Sequence, residues 1–398
     1  MQEYDGDYVI RTGLGPLDFE TSDWNALLHR QAVPTPFMRL EYLQALESSH
    51  SANTDSGWTA AYVGMWHQDH LVGACPLYLK THSYGEYVFD WAWADAYQRH
   101  GLRYYPKGLI AVPFTPVPGS RLLAVDASCR QRLLEAALRW SQEKGLSSLH
   151  LLFGAPDDLA ASQALGLMPR QTVQFHWQRQ GLNDFETFLK QLHQDKRKKI
   201  RQERRRVAEA GVSFRHARGS DIRPEDWAFF YRCYERTYLE HGNRPYLQPA
   251  FFASQARETP EHWLLFVAQR EGRPIASSLI GVQDGPGQER VAYGRYWGAL
   301  ERVDCLHFEA CYYQPLEWCL NQGIDRFEGG AQGEHKMARA LMPTPTHSAH
   351  WLAHPGFAEA VQDFLEREGT GVSRYLEHLN DRSPLKRPVP QARPTEPE

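Results

Sequence analysis

Two stretches of the chain carry the same order of apolar and polar positions. Residues 58–81 (WTAAYVGMWHQDHLVGACPLYLKT) place two apolar runs around the polar turn His67-Gln68-Asp69-His70. Residues 263–283 (WLLFVAQREGRPIASSLIGVQ) do the same around Arg270-Glu271-Gly272-Arg273. Each pattern predicts a β-hairpin. The elements after each hairpin also correspond. After the first come an aromatic run at 87–93 that reads as a strand, a long loop, a helix near 127–144 stopped by Gly145, and an apolar strand at 148–153. After the second come a strand at 291–297, a helix near 307–322 that Pro315 kinks or truly starts, a stop at Gly323, and a strand at 325–328. Ahead of the hairpins, residues 23–48 and 224–257 each read as a helical pair interrupted by prolines.

Two copies of so long a pattern predict a duplicated domain rather than a solenoid. The expected fold is α/β (α+β), with two similar lobes, each a mixed twisted sheet flanked by helices. The first lobe covers 1–180 and closes on a strand at 174–177. The second covers 181–382 and is introduced by a helix over 184–210 that stops at Gly211. The proline- and charge-rich stretch 383–398 is expected to be disordered.

Composition narrows the class. A hydrophobic fraction of 42% and an aromatic fraction of 12% supply ample core, and a net charge of -4 argues against a globally basic nucleic-acid binder. The sequence opens with no signal-peptide pattern and holds no apolar run long enough to span a membrane, so a cytoplasmic location is expected. The six cysteines form no CxxC pair and read as reduced, mostly buried thiols. His347, His350 and His354 lack companions at zinc-site spacing, so no metal is expected.

Four segments are candidates for chemistry. In residues 196–206, eight of eleven side chains are cationic, and such self-repulsion on a helix suits a polyanion partner held by Lys196, Lys199, Arg201, Arg204 and Arg205; a solvated linker helix is the alternative. In FEGGAQGEHK, a strand end bearing Glu328 turns through three glycines into Glu334, His335 and Lys336. Glu334 or His335 could deprotonate an amine, and Lys336 with Arg339 could hold an anion; a tight solvated turn is the alternative. The strand Tyr293-Gly294-Arg295-Tyr296-Trp297 buries an arginine among aromatics, which requires a partner or a pocket, and His307 and Glu309 come after it. Asp90, Tyr104 and Lys107 belong to an aromatic and polar cluster that suits either a ligand cleft or a packed, hydrogen-bonded loop.

These residues resemble a known family. Tyr104-Tyr105-Pro106-Lys107, Pro113-Phe114-Thr115-Pro116-Val117, Tyr293-Gly294-Arg295-Tyr296-Trp297-Gly298, His307-Phe308-Glu309-Ala310-Cys311-Tyr312-Tyr313-Gln314 and Gly330-Ala331-Gln332-Gly333-Glu334-His335-Lys336 are similar to the signature blocks of the FemAB-like proteins of the GNAT superfamily. The basic helix is similar to the one that introduces the second lobe of Fem-type transferases. The resemblance implies two tandem GNAT lobes and transfer of an acyl or aminoacyl group to an amine, with a peptide or cell-wall precursor as acceptor. It implies acyl-coenzyme A or aminoacyl-tRNA as a donor substrate rather than a resident cofactor. The chain lacks an Arg/Gln-x-x-Gly-x-Gly/Ala loop for a pyrophosphate and a paired-helix arm like that of the larger Fem ligases. The candidate roles are therefore Glu334 and His335 in catalysis and Arg295, Tyr296, Glu309, Glu328, Lys336, Arg339, Asp90, Tyr104 and Lys107 in substrate binding. The reading from another class is a non-catalytic GNAT-like protein that binds a peptide, a peptidoglycan fragment or RNA.

Overall fold

The computed structural model describes residues 1–331 and 333–386. The duplication is visible in the order of strand pairing. In the second lobe the strands Val212–Arg218, Trp263–Arg270, Arg273–Gln283 and Val291–Ala299 pair antiparallel in turn, and Val291–Ala299 then pairs parallel with Arg326–Ala331. The first lobe repeats this order. Tyr8–Leu14, Tyr62–His67 and His70–Cys75 pair antiparallel; Leu77–Lys80 then pairs antiparallel with Lys107–Ile110, which runs parallel to Ser148–Leu152. Both hairpins close on two residues with positive φ, Gln68-Asp69 and Glu271-Gly272. That geometry matches the right-handed twist of the flanking strands.

The lobes exchange their last strands. Met168–Gln178, the expected closing strand of the first lobe, lies between Arg326–Ala331 and Met342–Leu352 of the second half, and Met342–Leu352 in turn pairs with Ser148–Leu152 of the first. One sheet of eleven strands therefore runs through both lobes, beside a smaller sheet of five. The two exchanged strands are equally long, and their fifth residues, Thr172 and Thr346, pair with each other and share a hydrogen bond of 2.8 Å. This pair marks the pseudo-two-fold axis. Aromatic packing fixes the lobes together: Phe37 of the first stacks edge-on against Tyr293 of the second at 5.1 Å, and Tyr42 against Phe251 at 5.2 Å. A continuous sheet plus an apolar interface makes the lobes one body and keeps any cavity between them well defined.

Local structure matches expectation where the periodicity is strong. Asp126 caps the helix Ala127–Glu143 through the Cys129 amide at 2.8 Å, and Gly145 ends it with φ 63°. The interrupted pairs are Thr21–His29 with Leu40–Ser48, and Pro224–Glu240 with Pro249–Glu258. Gly298 is obligatory because a Cβ there would lie 1.9 Å from the Cys233 carbonyl of the helix packed over it.

Four expectations need correction. The aromatic run at 87–93 is not a strand: Trp91–Arg99 is a helix whose buried stripe is Trp93 and Tyr97, one helical turn apart. The helix over 184–210 is two helices, Phe185–Gln191 and Gln194–Glu209. The first hairpin divides at Ala61, its base belonging to the long sheet and its tip to the short one. Residues 383–386 are ordered against 191–193, with the Pro384 carbonyl and the Lys386 amide both bonded there; the rest of the expected disordered tail, 387–398, lies outside the described residues.

The first-lobe cluster is buried. Lys107 is fully buried and bonds Asp90, Glu86 (2.8 Å) and Ser83 (2.8 Å); Tyr104 donates to Asp90 at 2.6 Å. Lys107 holds the Asp90 carboxyl down at about 2 against the opposing effect of burial, whereas burial lifts Glu86 to about 7. Behind them His150 and His350, opposite each other in the sheet, bond through their Nδ1 atoms at 2.8 Å.

Burial keeps both imidazoles neutral, His150 at about 3 and His350 well below its ordinary value, with the Lys107 and Arg170 charges acting in the same direction and Asp90 opposing at His150. The unfolded chain takes up protons near pH 6.5 that the folded protein refuses. Stability is therefore lost as pH falls below 6.5, toward about 3 for His150, with a slope of about 1.4 kcal/mol per pH unit per histidine. Urea unfolding at stepped pH should show a shallower acid slope in a His150→Gln/His350→Gln double variant than in the parent.

Candidate active site

A seam opens between two parallel strands. Val291–Ala299 and Arg326–Ala331 pair only from Val291 to Tyr293, opposite Arg326 to Glu328. Beyond that point each strand carries a β-bulge. Arg295 is the extra residue against the hairpin partner, between the Tyr296 and Gly294 pairings. Gly329 and Gly330 together oppose the single residue Phe175 of the exchanged strand. Glycine is required on this second bulge: Gly330 has φ 73°, and a Cβ on Gly329 would strike Leu341 at 2.3 Å.

Cavities flank the seam. The larger, about 620 Å³, lies between the lobes and is lined by Phe114, Arg170, Gln174, Tyr246, Arg295 and Glu328 among others. The smaller, about 140 Å³, is lined by Trp297, His307, Cys311, Tyr312 and Lys336. Gly294, Arg295, Tyr296 and Gly329 border both.

Two charged residues on the seam are incompletely partnered. Arg295 donates through Nη2 to the Phe114 carbonyl (3.1 Å), Thr115 Oγ1 (3.3 Å) and Tyr296 Oη (3.1 Å), and lies against the Phe37 and Tyr296 rings at 5.1 and 5.0 Å. Among the described residues no carboxylate lies within 4 Å of it, and its Nε is buried without a partner. Glu328 is 4% exposed; one oxygen accepts from Arg326 at 3.1 Å, and the other is buried without a hydrogen bond. Burial raises its carboxyl to about 7, against the pull of Arg326. A carboxyl poised near neutrality in a cavity is a group suited to proton transfer.

The expected catalytic pair is placed elsewhere. Glu334 and His335 sit on a short 3₁₀ helix and are exposed. Glu334 accepts from Tyr375 at 3.0 Å and Arg382 at 3.2 Å; the His335 Nε2 lies 3.4 Å from Tyr312 Oη, and partial burial with the Arg339 and Lys336 charges lowers its pKa. Lys336 turns inward, and its ammonium gathers the carbonyls of Gly329 (2.7 Å), Gly330 (3.3 Å) and Ala331 (2.8 Å), which holds the glycine bulge in shape. Arg339 is buried, bonded to Glu203 at 2.8 Å and stacked 3.7 Å from the Phe308 ring. Neither cation is turned to the larger cavity as an anion clamp. Asp90, Tyr104 and Lys107 bond one another in the buried network through one Asp90 oxygen, the other being buried without a partner, and the three line neither cavity.

The basic helix docks on the small-cavity side. Its inner face is Ile200, Glu203 and Val207. Glu203 accepts from Tyr313 and Arg339, and Arg204 bonds Glu309 and Glu317. Glu309 is thus the helix's anchor, on a π-helical turn (Glu309–Tyr313) just before Pro315. That turn also supplies Cys311 and Tyr312 to the smaller cavity. Lys196 and Arg201 are paired with Asp195 and Glu186. Lys198, Lys199, Arg205 and Arg206 are exposed, with no carboxylate within 4 Å among the described residues.

Sequence reasoning missed several lining residues. Arg170, Thr172 and Gln174 alternate along the exchanged strand, a period-two signal in the stretch ahead of the strand expected at 174–177. Tyr84, Tyr87 and Phe89 gather at the larger cavity beside Trp91 of the expected aromatic cluster, in a loop where local pattern gives no direction.

No helix among the described residues is long and apolar enough to cross a membrane, and none of their His, Cys, Asp and Glu side chains form a metal-holding group. Solved structures share the fold at low identity. L-PGS from Bacillus licheniformis aligns over 89% of this chain and 98% of its own, with 10% identity and a TM-score of 0.53. The C-terminal domain of a putative lysylphosphatidylglycerol synthetase from Agrobacterium fabrum aligns over 86% and 95%, with 10% identity and a TM-score of 0.52. FemX aligns over 86% and 98%, with 10% identity and a TM-score of 0.51. No curated protein matches. The expected architecture of two GNAT-like lobes is the one observed. A family model described as peptidoglycan biosynthesis/recognition matches residues 17–387, and the chain therefore belongs to the FemAB-like family.

Proposed function

We propose that the seam is the site of an N-acyl or aminoacyl transfer, with the donor approaching from the smaller cavity and the acceptor amine from the larger. The observation that carries this reading is a sheet opened between two bulged strands, with a cavity on each side and Glu328 poised near neutrality beside it. Family membership supports a transferase and, by its description, a cell-wall precursor or peptide as acceptor.

The amine nitrogen attacks the acyl carbon, the C–N bond forms, and the C–O bond of an ester donor or the C–S bond of a thioester breaks. Glu328 takes the proton from the amine and returns one to the leaving oxygen or sulfur. The carbonyl lies against strand backbone beyond Tyr293, where the parallel pairing has stopped. Holding both reactants at one opening supplies the proximity that transfer needs. The exposed cations Lys198, Lys199, Arg205 and Arg206 meet a polyanionic donor, either coenzyme A or tRNA, and the reaction is cytoplasmic, where both donors are made.

Thermal unfolding with acyl-coenzyme A and with aminoacyl-tRNA tests the donor. One of them should raise the midpoint, and Lys199→Glu/Arg205→Glu should abolish that rise at moderate salt. Stabilisation by neither donor, together with tight binding of a peptide or peptidoglycan fragment, would instead make the protein a binding module.

A further inference from the structure

We propose that the group entering the larger cavity is an α-amino-acid headgroup, an amine and a carboxylate on one carbon, and that Arg295 binds the carboxylate. The proposal rests on the reading of this cavity as the acceptor side.

Charge accounting in the cavity points this way. Arg170 lines it too, but Glu368 takes the guanidinium in two bonds, at 2.7 and 2.8 Å. Arg326 is engaged by Glu289 and Glu328. Arg295 is the cation that lines the cavity without a carboxylate within 4 Å among the described residues. Removing an arginine from water without a counter-charge is expensive, and three neutral acceptors on one Nη recover part of that cost. A guanidinium carries five N–H donors in a planar fork suited to a carboxylate. The strand bulge sets this residue at the seam.

The amine then falls on the side of Glu328. Tyr293 is level with Glu328 across the parallel ladder, and Arg295 lies two residues further along, about 7 Å at strand rise. An anion site and a proton acceptor on neighbouring splayed strands suit a headgroup that carries both functions. Around them the walls are aromatic. Phe114 and Tyr246 stack at 4.7 Å, and Tyr84 meets Trp91 edge-on at 5.0 Å. These surfaces suit a bulky body attached to the headgroup, either a free apolar amino acid or a headgroup borne on a longer amide-linked chain.

Calorimetry on the intact protein without donor tests this. The probes are L-phenylalanine, hydrocinnamate (no amine), phenethylamine (no carboxylate) and Nε-acetyl-L-lysine, whose headgroup sits on an amide-bearing chain. L-phenylalanine or Nε-acetyl-L-lysine should bind at least about tenfold more tightly than phenethylamine, and the tighter of the two identifies the source of the headgroup. Arg295→Lys should weaken the carboxylate probes, hydrocinnamate included, about tenfold and leave phenethylamine unchanged. Phenethylamine binding as well as L-phenylalanine, or no saturable binding of any carboxylate probe to the parent protein, would overturn the proposal and leave Arg295 as a clamp between lobes. The parent comparison needs no variant to fold. Acylation of some other amine alongside such a failure would leave the transfer reading standing. Headgroup binding with no transfer from either donor would do the reverse.

Discussion

Glu328→Gln should lower the transfer rate by about 10²- to 10⁴-fold, the range expected for loss of a positioned general base. The fold should survive. Gln keeps an oxygen for Arg326, and Arg326 retains Glu289 as its charge partner at 2.5 Å. The pH profile distinguishes loss of a base from loss of shape. In the parent protein the carboxyl must be ionised to accept a proton, so kcat/KM should rise with pH up to about 7, where burial has placed this group, and then level off. In the variant that rise should vanish while far-UV circular dichroism and the unfolding midpoint stay near those of the parent. A variant that retained both the rate and the limb would assign the proton transfer to another group.

Lys107→Met should destabilise the protein by about 3–5 kcal/mol, the cost typical of removing one partner from a buried ion pair. Lys107 and Asp90 are 0% and 3% exposed, with Glu86 beside them at 4%. Without the ammonium, Asp90 retains Tyr104 as a donor but no counter-ion within its immediate shell. The methionine fills similar space, so the loss is electrostatic rather than a cavity. Adding Asp90→Asn to Lys107→Met should recover a substantial part of it, because the uncompensated charge is gone. Urea midpoints of the two variants check this. Equal midpoints for the parent and Lys107→Met would show that the network contributes no net stability.

The chain's own pattern made most local structure legible. Both hairpins announce themselves because His67-Gln68-Asp69-His70 and Arg270-Glu271-Gly272-Arg273 are polar two-residue turns between apolar runs, and turn chemistry is local. Strand exchange is not local. Residues 168–178 read as a strand whichever neighbour they pair with, and nothing in their alternation names Arg326–Ala331 as the partner. Arg295 was recognisable because a cation among aromatics in a strand needs an explanation, and its cavity supplies one. Asp90, Tyr104 and Lys107 read as equally functional, yet they bond one another away from both cavities. Composition cannot distinguish a polar cluster that faces a ligand from one that closes on itself. The Gly-rich turn misled in a third way. Glu334 and His335 come after the glycines as a catalytic pair would, but the 3₁₀ helix turns them to the surface and sends Lys336 inward to the bulge carbonyls.

Amide formation at the seam is tested by a single-turnover reaction with an isotopically labelled acyl donor and a saturating amine, read by mass spectrometry of the acceptor. A labelled amide should be formed by the parent protein and lost in Glu328→Gln under conditions where both proteins bind both ligands. Donor and amine bound together to the parent protein, with the donor intact and no labelled amide formed, would contradict it.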